Sequence, residues 1–368
     1  MKVASNVLDR QYFKYKKEYD KKLIEVMEKG WYITGPELEN FEAEFAKYCG
    51  SKYCVGLASG LDALWLAFRI LGIGKSDEVI VQSNTYIATV MGITINDATP
   101  IFVEPNDFYN MDVNKIEEKI TKKTKAILVT HLYGQSTKMD TVMKIAKKHK
   151  LYVVEDCAQA HGSTFDGKMV GTFGIIGCYS FYPSKNLGAF GDAGGIITND
   201  PDIAAKFKIY RNYGSEKRYY NQVVGTNSRL DELQAALLRI KLKHLDELNN
   251  ERTELAEKYL KGINNKYIEL PKIEKKVKPV WHQFVIRTKY RDEFQQYLAD
   301  NDITTLIHYP IPPHMSEAYQ YLGYKKGDFP IAEEYANEVL SLPIYNGMTE
   351  EEQQYVIDKI NEFKPRKK

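Results

Sequence analysis

The chain has 368 residues, 43% hydrophobic and 27% charged, with a formal net charge of +2. That length suggests two domains rather than one core, and so small a basic surplus argues against a nucleic-acid binder, which must neutralise many phosphates. No apolar run reaches membrane-spanning length and the N-terminal "MKVASNVLDRQYFKYKKEYDKK" has no signal-peptide core, so the expected compartment is the cytoplasm, with no membrane partner.

From Lys52 onward short apolar runs alternate with longer amphipathic ones. "KYCVGLAS" predicts a strand and "LDALWLAFRILG" a helix closed by Gly72. "DEVIVQ" predicts a strand and "YIATVMGITIND" a helix; "PIFVE" a strand and "VNKIEEKI" a helix; "KAILVTHLYG" a strand and "MDTVMKIAKKHK" a helix, before the strand "LYVVED". Runs of Val, Ile and Leu separated by helices imply a mostly parallel sheet covered on both faces, an α/β fold. Beyond Asp156, "GIIGCYSFY" and "AGGIITN" have strand character. "RLDELQAALLRIKLKHLDELNNERTELAEKYLKGI" predicts one long helix, with Leu230, Leu233, Ala236, Leu237, Ile240, Leu245 and Leu248 near helical spacing. The strand "HQFVIR" and the helices "DEFQQYLADN" and "TEEEQQYVIDKINEF" complete a smaller α+β unit. The expected division is a large domain over 1–255 and a small domain over 256–368. Cys49, Cys54, Cys157 and Cys178 form no CxxC pair, so reduced thiols are expected, without disulfide or metal site.

In such sheets ligands bind beyond the carboxyl ends of the strands. Five stretches stand there. In "ASGLDALWLAF" a strand ends at Ser59-Gly60 and a helix opens at once, offering N–H groups and a dipole to a phosphate, or merely a cap at Ser59 or Asp62. In "SNTYIATVMGI", Tyr86 can stack on a flat ring or pack in the core. In "VVEDCAQAHG", Asp156 follows an apolar strand, where a carboxylate needs a cation such as a protonated pyridine nitrogen, or caps the next turn. Gln159 can offer an amide to a ring oxygen, and His161 can hydrogen-bond or pack. In "CYSFYPSKNLGAFGDAGGIIT", Lys185 sits among Ser180, Ser184 and Asn186. Desolvation there favours a neutral amine able to form a Schiff base, and Gly188, Gly191, Gly194 and Gly195 admit backbone close to a bulky group. The plain alternative is a surface lysine. In "GTNSRLDELQAAL", Asn227 and Arg229 cap a helix or reach an anion. Together a phosphate site, a stacking aromatic, an acid after a strand and a lysine in a tight turn describe a pocket for pyridoxal 5'-phosphate (PLP).

The segments "ASGLDAL", "NTYIAT", "EDCAQAHG", "SFYPSKNLGAFGDAGG" and "NSRLDELQAA" resemble, in order, those of the DegT/DnrJ/EryC1/StrS family of PLP-dependent sugar aminotransferases. The likeness runs from "YITGPELENFEAEFAKYCG" through the C-terminal domain. It implies PLP fold type I, like aspartate aminotransferase, with PLP bound by residues 1–255, and a homodimer with shared active sites. Carried over, Lys185 bonds covalently to the cofactor and Asp156 pairs with the pyridinium nitrogen. Tyr86 stacks on the ring, Gln159 meets its phenolic oxygen, and Ser180 with the backbone of Gly60 and Leu61 holds the phosphate. Asn227 arrives from the partner subunit. Many members carry threonine where this chain has Leu61, which removes one hydroxyl contact.

"SGLDAL" with "AQAHG" resembles most the members that aminate C3 of a dTDP-linked 3-keto-6-deoxyhexose. The implied reaction carries nitrogen from L-glutamate to that sugar. Lys217, Arg218, Tyr219 and Tyr220 of "NYGSEKRYYNQ", and His308 and Tyr309 of "IHYPIPPH", are the expected contacts to the nucleotide-sugar. His308 and His314 lack the further ligands a zinc ion needs. The alternatives are amination at C4 of a 4-keto-6-deoxyhexose, amination of a cyclitol ketone, and a PLP-binding regulator without turnover.

Overall fold

The computed structural model describes residues 1–366. Three helices that the alternating pattern did not announce, Asp9–Lys14, Lys16–Lys29 and Pro36–Cys49, precede the first strand. A seven-stranded sheet follows. Across it lie, in order, Tyr53–Leu57, Gly194–Thr198, Ile176–Ser180, Tyr152–Asp156, Thr124–Thr130, Glu78–Gln82 and Thr99–Val103. The last five pair in parallel, while Gly194–Thr198 runs antiparallel to both its neighbours.

The continuous apolar strands are explained by burial on two faces. Val79, Val81, Ala126, Leu128 and Val154 face the helices Gly60–Ile70 and Ile87–Thr94 through Leu64, Ala67, Val90 and Ile93. The alternate residues Ile80, Ile127, Val129 and Val153 face the helix Met139–His149 through Met139, Val142 and Ile145. This is the period-two alternation of a pleated strand, with both sides made apolar.

Two expected helices came out differently. "VNKIEEKI" forms two short 3₁₀ turns, Val113–Lys115 and Glu117–Lys119. The Asp112 side chain caps the first at Asn114 N–H (3.1 Å), and a stretch rich in β-branched residues that turns extended at Ile120 is too short to propagate a helix. The long helix divides into Glu232–Lys243 and Leu245–Gly262 at His244. There the N–H of His244 bonds tightly to Lys241 O (3.0 Å) and its ring stacks on Tyr15 with centroids 4.0 Å apart.

The Leu245–Gly262 helix runs through the expected 255/256 division, and its Leu255, Ala256 and Tyr259 join a C-terminal core. That core gathers on the antiparallel pair Phe284–Arg287 and Val339–Leu342. Val3 also belongs to it, bridged to Ile303. Among the described residues no helix is long and apolar enough to cross a membrane.

Candidate active site

The parallel strands bring their carboxyl ends to one cavity of about 490 Å³. Gly60, Leu61, Tyr86, Asp156, Gln159, Ser180, Lys185, His308 and Tyr309 all line it. They come from distant parts of the chain, placed there by the ends of strands of the large sheet or by the segment between Ile303 and Val339 within the C-terminal unit.

At one wall the Gly60–Ile70 helix begins. Ser59 caps it by accepting from Asp62 N–H (3.1 Å), while the first-turn N–H groups of Gly60 and Leu61 have no acceptors within the helix. Asp62 is occupied elsewhere, with Trp65 (2.8 Å) and Ser228 (2.8 Å). Ser180 lies so close that a Cβ on Gly60 would come within 2.6 Å of the Ser180 Cβ. Only glycine lets the helix start against that serine. Helix N–H groups, a dipole and a hydroxyl form a cradle suited to phosphate.

Elsewhere in the cavity, Asp156 is buried at the end of its strand. Its Oδ1 accepts from Ala158 N–H (3.1 Å) and its Oδ2 from the Thr89 hydroxyl (2.7 Å). Burial raises its pKa and these hydrogen bonds oppose the rise. Lys185 is pushed down to about 8, chiefly by desolvation, with the Asp156 charge acting the other way. His308 is lowered to about 4 and His161 to about 3, each first by burial and then by the charge of Lys185. Neutral imidazoles around the lysine therefore leave its own charge balance to Asp156.

Tyr86 stands half exposed, its ring 5.1 Å from that of Tyr309. Gln159 is fixed: its Oε1 accepts from Tyr133 N–H (2.6 Å) and its Nε2 donates to Tyr309 Oη (3.0 Å). One amide hydrogen remains for a ring oxygen. The segment carrying Tyr309 is held between the turn after Thr130 and the C-terminal strand pair, by the Tyr133 hydroxyl donating to His308 O and by His308 Nδ1 with Ser341 Oγ (2.8 Å).

Gly188 and Gly194, near Lys185, meet other backbone. A Cβ on Gly188 would meet Pro183 O at 2.3 Å, and one on Gly194 would meet the Ser59 carbonyl carbon at 2.2 Å. These two let the chain pack on itself. His161 packs against Tyr179 and Phe181, with neither ring nitrogen bonded. His314 is buried against Glu333 (3.1 Å), apart from the partner of His308.

Lys217, Arg218, Tyr219 and Asn227 do not line this cavity. The first three lie on an exposed hairpin, Lys217 over the Tyr220 ring and Arg218 over the Tyr219 ring. Asn227 is exposed, bridged to Asn212, which also accepts from Arg229 (2.9 Å). Sequence reasoning overlooked Thr89, His282 and Gln283, which do line it. The position of Thr89, one helical turn after Thr85 and beside Tyr86, was the available signal.

His131, Glu155 and Cys157 cluster within 4.8 Å behind Asp156. Glu155 already accepts from Gly171, Phe173 and Gly174 N–H (2.7, 2.8 and 2.6 Å). Thr137 N–H donates to His131 Nδ1 (3.1 Å), so Nε2 carries the proton and donates to Glu155 (3.0 Å). These groups answer one another and act as a structural brace.

The residues fit PLP: an acid for the ring nitrogen, a lysine of lowered pKa, a glycine-dependent anion cradle and an aromatic face. A model of the DegT/DnrJ/EryC1/StrS aminotransferase family matches residues 14–361. The sequence is 53% identical over 351 residues to the dTDP-3-amino-3,6-dideoxy-alpha-D-galactopyranose transaminase of Aneurinibacillus thermoaerophilus, covering 95% of this chain and 96% of that one. It is 46% identical over 361 residues to the dTDP-3-amino-3,4,6-trideoxy-alpha-D-glucose transaminase of Streptomyces venezuelae, covering 98% and 95%. The crystal structure of S. venezuelae DesV in complex with a ketimine intermediate superposes with a TM-score of 0.96 at 45% identity, covering 98% of each chain. That of Bacillus subtilis NtdA with bound cofactor PMP, the aminated form of PLP, gives 0.88 at 32% identity, covering 94% and 81%.

Proposed function

Since the chain belongs to the DegT/DnrJ/EryC1/StrS aminotransferase family, and PLP and PMP forms are among its solved structural neighbours, we propose that it transfers an amino group from L-glutamate to C3 of a dTDP-3-keto-6-deoxyhexose. The product is a dTDP-3-amino-3,6-dideoxyhexose. The observation that carries the regiochemistry is the near full-length, 53% identity to a transaminase named for that class of sugar.

PLP supplies an aldehyde that takes up the amine and a ring that accepts the electron pair of the substrate carbanion. The chain supplies the rest. The lowered pKa of Lys185 keeps a usable fraction of its Nζ neutral for the covalent bond to the cofactor. Once released, Nζ takes the proton from the donor's α-carbon and later delivers one to the sugar's C3. Asp156 holds the ring N–H. Ser180 and the N–H groups of Gly60 and Leu61 hold the phosphate, Tyr86 covers one ring face, and the remaining amide hydrogen of Gln159 meets the phenolic oxygen. His308 and Tyr309 meet the sugar.

We further propose that a second copy of the chain completes each site, bringing Asn227 to the phosphate and Lys217, Arg218 and Tyr219 to the nucleotide. The exposure of Tyr219 (80%), Val224 (89%) and Trp31 (58%) supports a protein surface that another copy covers. The large domain over 1–255 holds the cofactor, and 256–368 closes the site through Tyr309. Four buried cysteines without disulfides fit a reducing cytoplasm. Purified enzyme should turn over a dTDP-3-keto-6-deoxyhexose with L-glutamate; turnover of the 4-keto isomer alone would replace C3 by C4.

A further inference from the structure

Three threonine hydroxyls run in a line behind the acid of this site. Thr89 Oγ1 lies 2.7 Å from Asp156 Oδ2, Thr85 Oγ1 lies 2.8 Å from Thr89 Oγ1, and Thr130 Oγ1 lies 3.3 Å from Thr85 Oγ1. All three threonines are at least 96% buried and line the cavity. Hydrogen counting fixes the direction. An ionised Asp156 has no proton to give, so the Thr89 O–H donates to it. Thr89 must then accept from Thr85, and Thr85 from Thr130. A chain of hydroxyls oriented one way polarises each member toward the carboxylate.

The line also joins three parts of the site. Thr130 ends one strand, Asp156 ends its neighbour, and Thr85 and Thr89 bracket Tyr86 at the start of the Ile87–Thr94 helix. With Ala158 N–H on Oδ1, each carboxylate oxygen keeps one lone-pair site for a further donor.

We propose that Thr89, backed by Thr85 and Thr130, is a positioning residue of the transamination site: it keeps Asp156 ionised as the acceptor for the cofactor's ring N–H and fixes Tyr86 relative to that acid. This rests on the PLP reading above. The other groups facing Asp156 are Lys185 from the turn after Ser180, His131 from the end of the neighbouring strand, Tyr309 from the C-terminal segment, and the thiols of Cys157 and Cys178. Of these Lys185 is the cation that favours the charged acid electrostatically. Burial disfavours it, and Thr89 is the largest opposing influence.

The test is PLP affinity of the apoenzyme as a function of pH, measured for wild type, Thr89→Val, Thr89→Ser and Thr85→Val, with a thermal melt of each. Thr89→Val should weaken PLP binding about tenfold or more, the loss expected for one hydrogen bond to a charged group. It should also move the acid limb of the binding profile to higher pH, because Asp156 then protonates sooner. Thr89→Ser should restore both. Thr85→Val should move the limb the same way by less, and keeps the proposal testable if Thr89→Val fails to fold. A lowered melting temperature with an unmoved limb in Thr89→Val or Thr85→Val overturns the proposal, leaving these residues a structural role only. Failure of the wild type to bind PLP would instead remove the reading on which it rests.

Discussion

Lys185 gives the most quantitative expectation. Its pKa falls from an ordinary 10.5 to about 8 because burial strips water from the ammonium, while the Asp156 carboxylate alone pulls it back up. At neutral pH this makes the neutral amine about 300-fold more abundant than on an exposed lysine, since each pKa unit is a factor of ten. The rate at which apoenzyme captures PLP should therefore rise tenfold per pH unit from the acid side and level off above about 8. Asp156→Asn removes the charge that raises this pKa. Its midpoint should fall below that of wild type even though final affinity for the cofactor drops. Rapid mixing of apoenzyme with PLP, followed by the visible absorbance of the lysine-bound cofactor, reads both quantities. A wild-type midpoint near 10.5, or an upward move in Asp156→Asn, would refute the desolvation argument.

Other outcomes follow from contacts at the site. Gly60→Ala places a methyl 2.6 Å from the Ser180 Cβ and should push the helix start off the phosphate cradle. A loss of about 1–3 kcal/mol in PLP binding by titration is expected, with the far-ultraviolet spectrum unchanged. Glu155→Gln sets an amide NH₂ against either His131 Nε2–H or a backbone N–H, because Thr137 prevents the imidazole from changing tautomer. A stability loss of roughly 2–4 kcal/mol is expected by denaturant titration, from at least one unsatisfied buried donor.

Much of this site could be read from sequence because its chemistry sits at strand ends. Asp156, Ser180, Tyr86 and Gly60 each follow an apolar run, and parallel strands must deliver their ends to one edge. Lys185 was conspicuous as a charge amid aromatic and small residues. What stayed hidden depends on distance in sequence or on local balance. The Gln159–Tyr309 bond spans 150 positions, and no local pattern encodes it. Thr89 looks like any helix residue until its hydroxyl is seen against Asp156. The break at His244 coincides with a ring that stacks on Tyr15, far earlier in the chain, within an otherwise continuous helical pattern. Gly188 and Gly194 were visible as glycines, but only the packed backbone shows that Pro183 and Ser59 are what they make room for.

The central claim is that nitrogen reaches C3 of the sugar. Incubating the enzyme with ¹⁵N-labelled L-glutamate and a dTDP-3-keto-6-deoxyhexose, then locating the label in the product by NMR, tests it most directly. The account predicts ¹⁵N bonded to C3, and no labelled sugar from Lys185→Ala. Label at any other carbon, or labelled sugar made by Lys185→Ala at the wild-type rate, would contradict it.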